Sequence, residues 1–346
     1  MSIKIAINGF GRIGRLAFRR IIQIGGDFEV VAINDLAEPK ELAYLLKYDS
    51  AHGTLKNEVS YYGNATEGGI VFEGRKIPVL LQRDPALLEW SKYGVDIVLE
   101  CTGRFKGKTD ASVHITSGGA KAVVISAPAD NETPTYVYGV NDQLLTADQT
   151  IISGASCTTN CLAPVVKVLN DRYGIEGGFM TTVHAYTNDQ TTLDLVHKDP
   201  RRGRAAAANI VPNTTGAAKA INLVIPELKG RLQGGAFRVP VVDGSLVDLS
   251  LTFKEEVKDV AEINALLKDA ALKSNGVLGY TEDLIVSSDI RGITVGSLFD
   301  ATQTVLYTNP EGKQFIKVVA WYDNEYSYTS QYIRLAKKLA EVLKIK

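Results

Sequence analysis

The chain has little cysteine, no long apolar run and almost no net charge. It contains three cysteines among 346 residues, and an odd number in a chain of this length argues against a disulfide framework and predicts reduced thiols. No apolar run approaches the ~18 residues that a membrane span needs. A formal net charge of -1 gives no general attraction to nucleic acid or to an anionic membrane. Any anion binding therefore requires locally clustered cations.

The N-terminal residues lack the features of a secretory signal. The apolar stretch from Ile3 to Ile7 is interrupted by Lys4 and is too short for a signal-peptide hydrophobic region. Together with the absence of a membrane-length run, this predicts a cytoplasmic protein without a membrane partner. The length suits two domains, at roughly 100 to 200 residues per domain.

The first half of the chain alternates short apolar runs with helical patterns. The expected strands cover residues 3–8, 28–34, 95–100, 121–126 and 150–153, and the expected helices cover 12–24, 39–48 and 109–117. Residues 59–81 instead alternate apolar and polar positions around turn signals, which predicts inserted hairpins. Strands and helices that alternate at this spacing predict an α/β fold with a Rossmann-type, doubly wound parallel sheet.

The pattern changes after residue 157. Strands are expected at residues 179–185, 237–242, 246–253, 302–307 and 314–322, and helices at 157–173, 217–223 and 260–272. This order predicts an α+β domain with a mostly antiparallel sheet. The last helix carries an apolar stripe that includes Tyr328 and Leu335, so it must pack against other elements.

A glycine-rich loop follows the first predicted strand and opens the first helix. Its residues match the G-x-G-x-x-G pattern in the strand-to-helix context that dinucleotide binding requires, and they are Gly9, Phe10, Gly11, Arg12, Ile13 and Gly14. Asp35 follows the second strand, where a carboxylate would bind a ribose hydroxyl and repel a 2′-phosphate, so NAD is expected rather than NADP. In the alternative, the glycines form a plain tight turn and Asp35 caps the next helix.

Two of the three cysteines lie four residues apart, at the start of a predicted helix. The helix dipole and the free N–H groups at this position favour a thiolate at Cys157, and a nearby imidazolium would strengthen the effect. His184, at the end of the following strand, can meet Cys157 at one sheet edge and act as its base. For Cys161 two interpretations stay open, a small buried side chain or a partner for oxidised Cys157. The C-x3-C spacing without clustered ligands predicts no metal site.

Groups that could bind phosphate are concentrated in the second half. Arginine binds phosphate through its planar two-pronged guanidinium group, and hydroxyl and backbone N–H groups can assist. The candidates are Arg202, Arg204, Arg238, Ser156, Thr158, Thr187, Thr215 and Gly216. The charges of residues 198–204 could also form a solvated loop or a nucleic-acid patch. The absence of interleaved aromatic residues and of a basic excess argues against nucleic acid as a partner.

Five segments together resemble phosphorylating, NAD-dependent glyceraldehyde-3-phosphate dehydrogenases. They are residues 5–15 (IAINGFGRIGR), 153–164 (SGASCTTNCLAP), 184–190 (HAYTNDQ), 214–220 (TTGAAKA) and 321–326 (WYDNEY). The resemblance implies an NAD-binding domain of residues 1–156 with a C-terminal helix 325–346, and a catalytic domain of residues 157–324. It also implies a homotetramer that acts on glyceraldehyde 3-phosphate and inorganic phosphate.

The resemblance also implies a role for each matching residue. Cys157 would attack the aldehyde to form a hemithioacetal and then a thioester that phosphate cleaves, and His184 would act as the base. Substrate phosphate would bind Arg238 and Thr187; inorganic phosphate would bind Ser156, Thr158, Thr215 and Gly216, with Arg202 close to both. Cofactor contacts would come from the glycine-loop residues and from Asp35, Arg83, Thr102, Ser126, Asn324 and Tyr328.

Some positions depart from the common pattern of this family. Cys101-Thr102-Gly103 stands where Ser-Thr-Gly is commoner. The cysteine form of this segment is similar to that of erythrose-4-phosphate dehydrogenase, so oxidation of erythrose 4-phosphate is the alternative activity. Residues 187–189 and 214–219 favour the glyceraldehyde 3-phosphate form. Val196 replaces a proline of many NAD-specific members, whereas Asp35 and Leu36 favour NAD. A hypothesis of a different class is a redox-sensing or nucleic-acid-binding module that uses the dinucleotide site only for regulation.

Overall fold

The computed structural model describes residues 2–64 and 66–345. These residues form two compact units by their internal contacts. The first unit comprises the residues up to 136, residues 142–155 and those from 332 onward, and the second comprises residues 137–141 and 156–331. The domain division expected from the sequence stays a prediction, and its end residues 1 and 346 lie outside the described part of the chain.

The first unit contains a sheet of eight strands. These are β1 (Ile3–Asn8), β2 (Phe28–Asn34), β3 (Val59–Gly63), β4 (Gly68–Phe72), β5 (Arg75–Val79), β6 (Ile97–Glu100), β7 (Ala122–Ile125) and β8 (Ile151–Ser153). Their order is β3-β4-β5-β2-β1-β6-β7-β8. Neighbouring strands in the part β5-β2-β1-β6-β7-β8 of this order are parallel. The strands β3, β4 and β5 form the expected antiparallel hairpins.

The helices of the first unit follow the strands at the predicted places. They are α1 (Arg12–Ile24), α2 (Pro39–Lys47), α3 (Lys108–Ala111) and α4 (Val113–Thr116). The prediction of a single helix at residues 109–117 is wrong, because two short helices, α3 and α4, cover this segment. Every residue of β6 and of β7 is buried, as expected for parallel strands covered on both faces. Their side chains pack with Ala6, Ala32 and Trp90 in an apolar core.

The second unit contains a seven-stranded sheet and the remaining helices. The strands are β9 (Ile175–Ala185), β10 (Val211–Asn213), β11 (Leu232–Val239), β12 (Ser245–Phe253), β13 (Leu278–Thr281), β14 (Ser297–Thr308) and β15 (Gln314–Tyr322), and the helices are α5 (Cys157–Tyr173), α6 (Ala217–Val224), α7 (Val260–Lys273) and α8 (Tyr326–Val342). α8 begins in this unit, and its residues from Tyr332 onward belong to the first.

The second sheet is mostly antiparallel, as predicted. Its order is β10-β11-β9-β12-β15-β14-β13, and only the β11–β9 and β13–β14 pairs are parallel. β11 begins five residues before the predicted start at residue 237, because Gly234 and Gly235 weaken the strand signal. At Gly234 a Cβ atom would lie 2.5 Å from the Met180 side chain and 2.5 Å from the Met180 carbonyl oxygen. The two strands β9 and β11 can therefore pair at this position only because residue 234 has no side chain.

The predicted fold class is therefore confirmed for both units. None of the described helices is long and apolar enough to span a membrane.

Candidate active site

Cys157 is the first residue of α5. The preceding residue, Ser156, is the N-cap, and its Oγ accepts a hydrogen bond of 3.1 Å from the Thr159 N–H. Ala155 is buried and adopts a left-handed conformation with φ 57°, which costs free energy in a residue with a Cβ atom. This sharp turn ends the preceding strand segment and presents Cys157 at the positive end of the helix dipole.

His184 lies next to the sulfur, as the sequence predicts. It is the penultimate residue of β9 and is 4% exposed. Its Nε2 is 3.5 Å from the Cys157 Sγ, within the range for a hydrogen bond to sulfur. The contact joins a helix start to a strand end of the same unit, so the second unit brings the proposed nucleophile and base together by itself.

Arg238 contacts the second ring nitrogen of His184, the one that does not face the sulfur. The parallel register of β11 and β9 places it directly beside His184, and its Nη1 is 2.7 Å from the His184 Nδ1 and 2.9 Å from the Ala185 carbonyl oxygen. The His184 Nδ1 is also 2.7 Å from that oxygen. The Nδ1 can donate a hydrogen bond to the Ala185 carbonyl oxygen or accept one from the Arg238 guanidinium, but it cannot do both in one tautomer.

The protonation of the pair follows from burial and from Arg238. Burial raises the pKa of the Cys157 thiol, and the charge of Arg238 and the Thr158 hydroxyl offset only part of the rise. Burial, and after it the charge of Arg238, lowers the pKa of His184 to about 3. The lowered thiol pKa expected from the helix start is therefore wrong, because desolvation of the sulfur outweighs the helix dipole.

Tyr322 supports the site, and the sequence reasoning gave it no role. Its hydroxyl group is hydrogen-bonded to the Oγ1 of Thr158 at 2.9 Å and to that of Thr182 at 2.8 Å. Its ring meets the His184 ring edge-on with centroids 5.8 Å apart. The only signal was its place in the WYDNEY segment, which does not reveal that β15 lies beside β12 and near α5.

The expected phosphate ligands lie on elements that surround this pair. Ser156 and Thr158 belong to the start of α5, Thr187 follows β9 by two residues, and Gly216 is the N-cap of α6. α5 and α6 pack against each other, and α6 also contacts β11, which carries Arg238. The Thr215 Oγ1 accepts a hydrogen bond of 3.2 Å from the Ala217 N–H. At Gly216 a Cβ atom would meet nothing within 4 Å, so its backbone faces open space.

Arg202 is bound by other side chains of the protein. Its Nη1 pairs with the Asp189 carboxylate, and its Nε and Nη2 donate to the Asn213 Oδ1 at 3.0 and 2.6 Å. These bonds connect the segment 198–204 to β10. Arg204 pairs with Asp194 at 3.0 Å on the surface. Of the three arginines that the sequence offered, Arg238 alone touches the Cys157–His184 pair in the described contacts.

The glycine loop of the first unit borders a separate cleft of about 300 Å³. Five of the expected cofactor residues line it, namely Gly9, Gly11, Asp35, Arg83 and Thr102. The wall also includes residues that the sequence did not single out as contacts, which are Asn8, Asn34, Gln82, Cys101, Arg104 and Phe105. At Gly11 a Cβ atom would meet nothing within 4 Å, whereas at Gly14 it would lie 2.1 Å from the Gly9 carbonyl oxygen. The loop thus exposes backbone at Gly11 and packs closely at Gly14, as dinucleotide binding requires.

Asp35 borders the cleft and also holds the loop. Its Oδ2 accepts a hydrogen bond of 2.6 Å from the Phe10 N–H, and its Oδ1 accepts one of 3.0 Å from the Ala37 N–H. The capping alternative is wrong, because the N-cap of α2 is Glu38. A carboxylate bound by two backbone donors has a fixed orientation, which suits it to receive ribose hydroxyl groups.

Other expected cofactor contacts have local partners. Phe10 is fully buried and packs edge-on against Phe18. Arg12 forms an ion pair of 2.5 Å with Asp49; although burial of Asp49 raises its pKa, the hydrogen bond from Arg12 and backbone donors bring the pKa to about 2. Ile13 is half-buried in the first turn of α1. The Ser126 N–H donates to the Glu100 carbonyl oxygen at 2.9 Å, which fixes it directly after β7.

Asn324 and Tyr328 lie in the second unit. The Asn324 Oδ1 accepts hydrogen bonds from the Gly244 N–H at 3.1 Å and from the Ser245 hydroxyl at 2.8 Å. These bonds orient the amide nitrogen of Asn324 as a donor. Tyr328 is 3% exposed in the first turn of α8.

The remaining cysteines differ from Cys157 in their surroundings. Cys161 is fully buried, with its Sγ 3.5 Å from the Ser297 Oγ, and burial raises its pKa to about 12. These contacts favour the packing interpretation. Cys101 lines the cleft, and burial raises its pKa to about 12 as well.

Comparison with known proteins gives matches to both units. Residues 3–108 match the family described as glyceraldehyde 3-phosphate dehydrogenase, NAD binding domain, and residues 156–324 match glyceraldehyde 3-phosphate dehydrogenase, C-terminal domain. Similar relatives include the glyceraldehyde-3-phosphate dehydrogenases of Clostridium pasteurianum, 56% identical over 99% of both chains, and of Clostridium acetobutylicum, 55% identical over 99% of both. That of Streptococcus pyogenes serotype M1 is 54% identical over 99% of this chain and 100% of its own.

Proposed function

This chain belongs to the glyceraldehyde-3-phosphate dehydrogenase family, and on that premise we propose the reaction that its sites perform. It is an NAD-dependent oxidoreductase that acts on glyceraldehyde 3-phosphate. The reaction we propose is oxidation and phosphorylation of this aldehyde to 1,3-bisphosphoglycerate. The observation that carries the proposal is the 3.5 Å contact between the Cys157 Sγ and the His184 Nε2 at the start of a helix.

The first proposed step is attack of Cys157 on the aldehyde carbon. The S–C bond forms as the C=O π bond breaks, and the thiol proton passes to the His184 Nε2, so the positive imidazolium balances the negative charge left on the aldehyde oxygen. Backbone N–H groups at the start of α5 favour the negative charge that develops at the sulfur and the aldehyde oxygen. Bound NAD⁺ supplies the hydride acceptor that turns the resulting hemithioacetal into a thioester.

Arg238 would couple substrate binding to this proton transfer. When its guanidinium binds the substrate phosphate, its donor leaves the His184 Nδ1, which is then free to donate to the Ala185 carbonyl oxygen. That tautomer has its lone pair on Nε2, facing the thiol, and is the one that can act as a base. The phosphate charge also offsets the guanidinium charge that lowers the pKa of His184.

The second half of the reaction needs an anion site on the same face. Inorganic phosphate would be held by the hydroxyl groups of Thr158 and Thr215 and by backbone N–H groups at the starts of α5 and α6. Its attack on the thioester carbonyl forms the acyl phosphate and breaks the C–S bond, which releases Cys157 as a thiolate that the protonated His184 returns to the thiol. The Ser156 Oγ already accepts the N-cap hydrogen bond from the Thr159 N–H. Its hydroxyl hydrogen can still be donated, and this is the bond that it would offer to phosphate.

The cofactor would bind along the glycine loop. Exposed backbone at Gly11 and the N-terminus of α1 fit a diphosphate, Asp35 fits an adenine-side ribose, and Thr102 and Arg83 line the same cleft. Arg12, Ile13 and Ser126 would contribute beside them. We further propose that the oriented amide of Asn324 holds the nicotinamide carboxamide, with Tyr328 packed nearby.

The assembly and location belong to the same proposal. We propose a cytoplasmic homotetramer, as the family resemblance implies. Four of the seven large apolar side chains that are more than two thirds exposed among the described residues lie in the segment 187–210, and they are Leu193, Leu195, Val196 and Ile210; the other three are Phe179, Leu272 and Leu284. Such a concentration is typical of a surface that another subunit covers.

Dependence on inorganic phosphate tests the proposed reaction. With NAD and glyceraldehyde 3-phosphate but no phosphate, we expect a burst of one NADH per active site followed by a stall, because the thioester cannot be released quickly. Phosphate should restore steady turnover. The measurement is NADH absorbance in a stopped-flow instrument, with erythrose 4-phosphate compared by kcat/KM. Equal steady rates with and without phosphate would contradict the proposal.

The NAD preference should depend on Asp35. Asp35→Ser removes the charge that repels a 2′-phosphate, so we expect the ratio of kcat/KM for NAD to that for NADP to fall at least about tenfold. Glu29→Gln is the matched control, since Glu29 lies at the opposite end of β2 and pairs with Arg75. An unchanged ratio in Asp35→Ser would show that the cofactor ribose binds elsewhere.

A further inference from the structure

The first unit contains a buried carboxylate that the reaction described above does not use. Glu100 is the last residue of β6 and is 1% exposed. A buried carboxylate is costly unless hydrogen-bond donors compensate it. Four donors do so, two on each oxygen, and they come from three different segments of the chain.

The first oxygen fixes the backbone opposite the glycine loop. The Glu100 Oε1 accepts a hydrogen bond of 2.8 Å from the Thr102 N–H, and it also accepts one from the Thr102 hydroxyl. A Cβ atom at Gly9 would lie 2.7 Å from that same Thr102 nitrogen. The carboxylate therefore holds the peptide against which the first glycine of the loop packs.

The second oxygen fixes the end of β1. The Glu100 Oε2 accepts a hydrogen bond of 2.5 Å from the Asn8 Nδ2. The Asn8 Oδ1 in turn accepts one of 2.8 Å from the Asn34 Nδ2. Asn34 then pairs with the backbone N–H and carbonyl groups of Gln82, each at 2.9 Å. One carboxylate thus begins a chain of bonds through the ends of β1 and β2 to the loop after β5.

The fourth donor is a histidine of defined tautomer. The His114 Nδ1 accepts a hydrogen bond of 3.0 Å from the Trp90 indole N–H, so the proton of the neutral ring is on Nε2. That Nε2 is 3.1 Å from the Glu100 Oε2. His114 and Trp90 are both fully buried, so the orientation of the histidine is set by protein groups alone.

We infer that Glu100, supported by His114 and Trp90, is a positioning residue for the dinucleotide cleft. Asn8, Asn34, Gln82 and Thr102 line the cleft, whereas Glu100, His114 and Trp90 are absent from its lining. Glu100 acts through these four residues, because it fixes the segments on both sides of the glycine loop before the cofactor arrives. The inference rests on the proposed place of the cofactor in this cleft.

The test replaces Glu100 by glutamine. The amide keeps one acceptor oxygen, but its NH₂ group faces two donors, so either Thr102 or Asn8 loses its partner. We expect the dissociation constant for NAD, measured by titration calorimetry, to rise about tenfold. KM for NAD should rise in parallel, whereas kcat at saturating NAD should stay within about twofold. A mainly structural residue would not separate KM from kcat in this way.

Asp96→Asn is the matched control. Asp96 is 6% exposed, directly precedes β6, and accepts a hydrogen bond of 2.8 Å from the Lys4 N–H. Both variants exchange a buried carboxylate for an amide at one end of the same strand, and both should lower Tm. Asp96→Asn should leave the NAD dissociation constant within about twofold of the wild type. If Glu100→Gln lowers Tm but binds NAD as the wild type does, the inference is wrong.

Two further variants keep the result decisive. If Glu100→Gln does not fold, His114→Phe removes one donor at similar volume and should weaken NAD binding about threefold; unchanged affinity there would overturn the inference. If Asp35→Ser alters cofactor preference and Glu100→Gln leaves affinity unchanged, the positioning role alone fails. If neither changes cofactor binding, the proposed place of the cofactor fails.

Discussion

Cys157→Ser is expected to lower kcat for NAD reduction by a factor on the order of 10⁴ to 10⁶, the usual result of removing a nucleophile. A serine hydroxyl at the start of α5 would keep the helix N–H groups and the contact with His184. Its oxygen is far less acidic and less nucleophilic than sulfur, and the ester it could form is less reactive toward phosphate than a thioester. The measurement is steady-state NADH formation, combined with a search for covalent adducts by mass spectrometry.

Cys161→Ser is the matched control for this variant. The same atom is exchanged one turn further along the same helix, where the Cys161 Sγ contacts Ser297 and the Ala320 carbonyl oxygen. Turnover should remain within about twofold, since the described hydrogen bonds of this buried side chain go to Ser297 and to the backbone of β15 and not to Cys157 or His184. NAD affinity should be unchanged in both variants. Turnover that survives the loss of Cys157 would instead support a regulatory role for the dinucleotide site.

Local signals were sufficient for much of the fold. β1, β2 and α1 have the predicted bounds, because each is a strong periodic segment with clear breakers at its ends. The predictions fail where pairing between distant segments decides the structure. β11 includes Gly234 and Gly235 because both residues pair with β9. In place of the one helix predicted at 109–117 there are two, and the first of them ends at Ala111. Neither outcome is encoded in a local pattern.

The reacting pair was predictable for a similar reason. Cys157 lies at a helix start and His184 at the end of the next strand. The rule that these two ends meet at one edge of a sheet is enough to predict their contact. The position of Arg238 against His184 depends on the register of β11, which residues 237–240 alone do not reveal. The pKa of Cys157 was predicted in the wrong direction, because the sequence shows the helix start but not how deeply the sulfur is desolvated.

Glu100 shows a further limit of sequence reasoning. Its partners Asn8, Thr102 and His114 are separated from it by 92, 2 and 14 positions, and no motif joins them. A carboxylate at a strand end indicates a surface group as readily as a buried one. The parallel pairing of β1 with β6 sets Asn8 opposite Glu100, so topology rather than composition creates the network.

His184→Asn is expected to lower kcat by about 10² to 10⁴, the usual contribution of a positioned general base. Asparagine fits the space next to Tyr322 but cannot take the thiol proton, whose pKa burial already raises. The loss should appear in kcat and in the size of the NADH burst, whereas KM for NAD should change little. If phosphate binding to Arg238 selects the base tautomer, the loss will be largest with phosphorylated aldehyde and smaller with unphosphorylated glyceraldehyde.

Chemical rescue separates this role from a structural one. His184→Gly leaves a space between Cys157, Arg238 and Tyr322 that an imidazole molecule can fill, so added imidazole should restore part of its turnover. The same addition should not restore Cys157→Ser, which lacks the group that the base activates. Rescue that rises with the fraction of neutral imidazole would identify a base at this position. If His184→Asn keeps the wild-type burst, the proton of Cys157 must leave by another route, and the 3.5 Å contact would serve only to pack the strand against the helix.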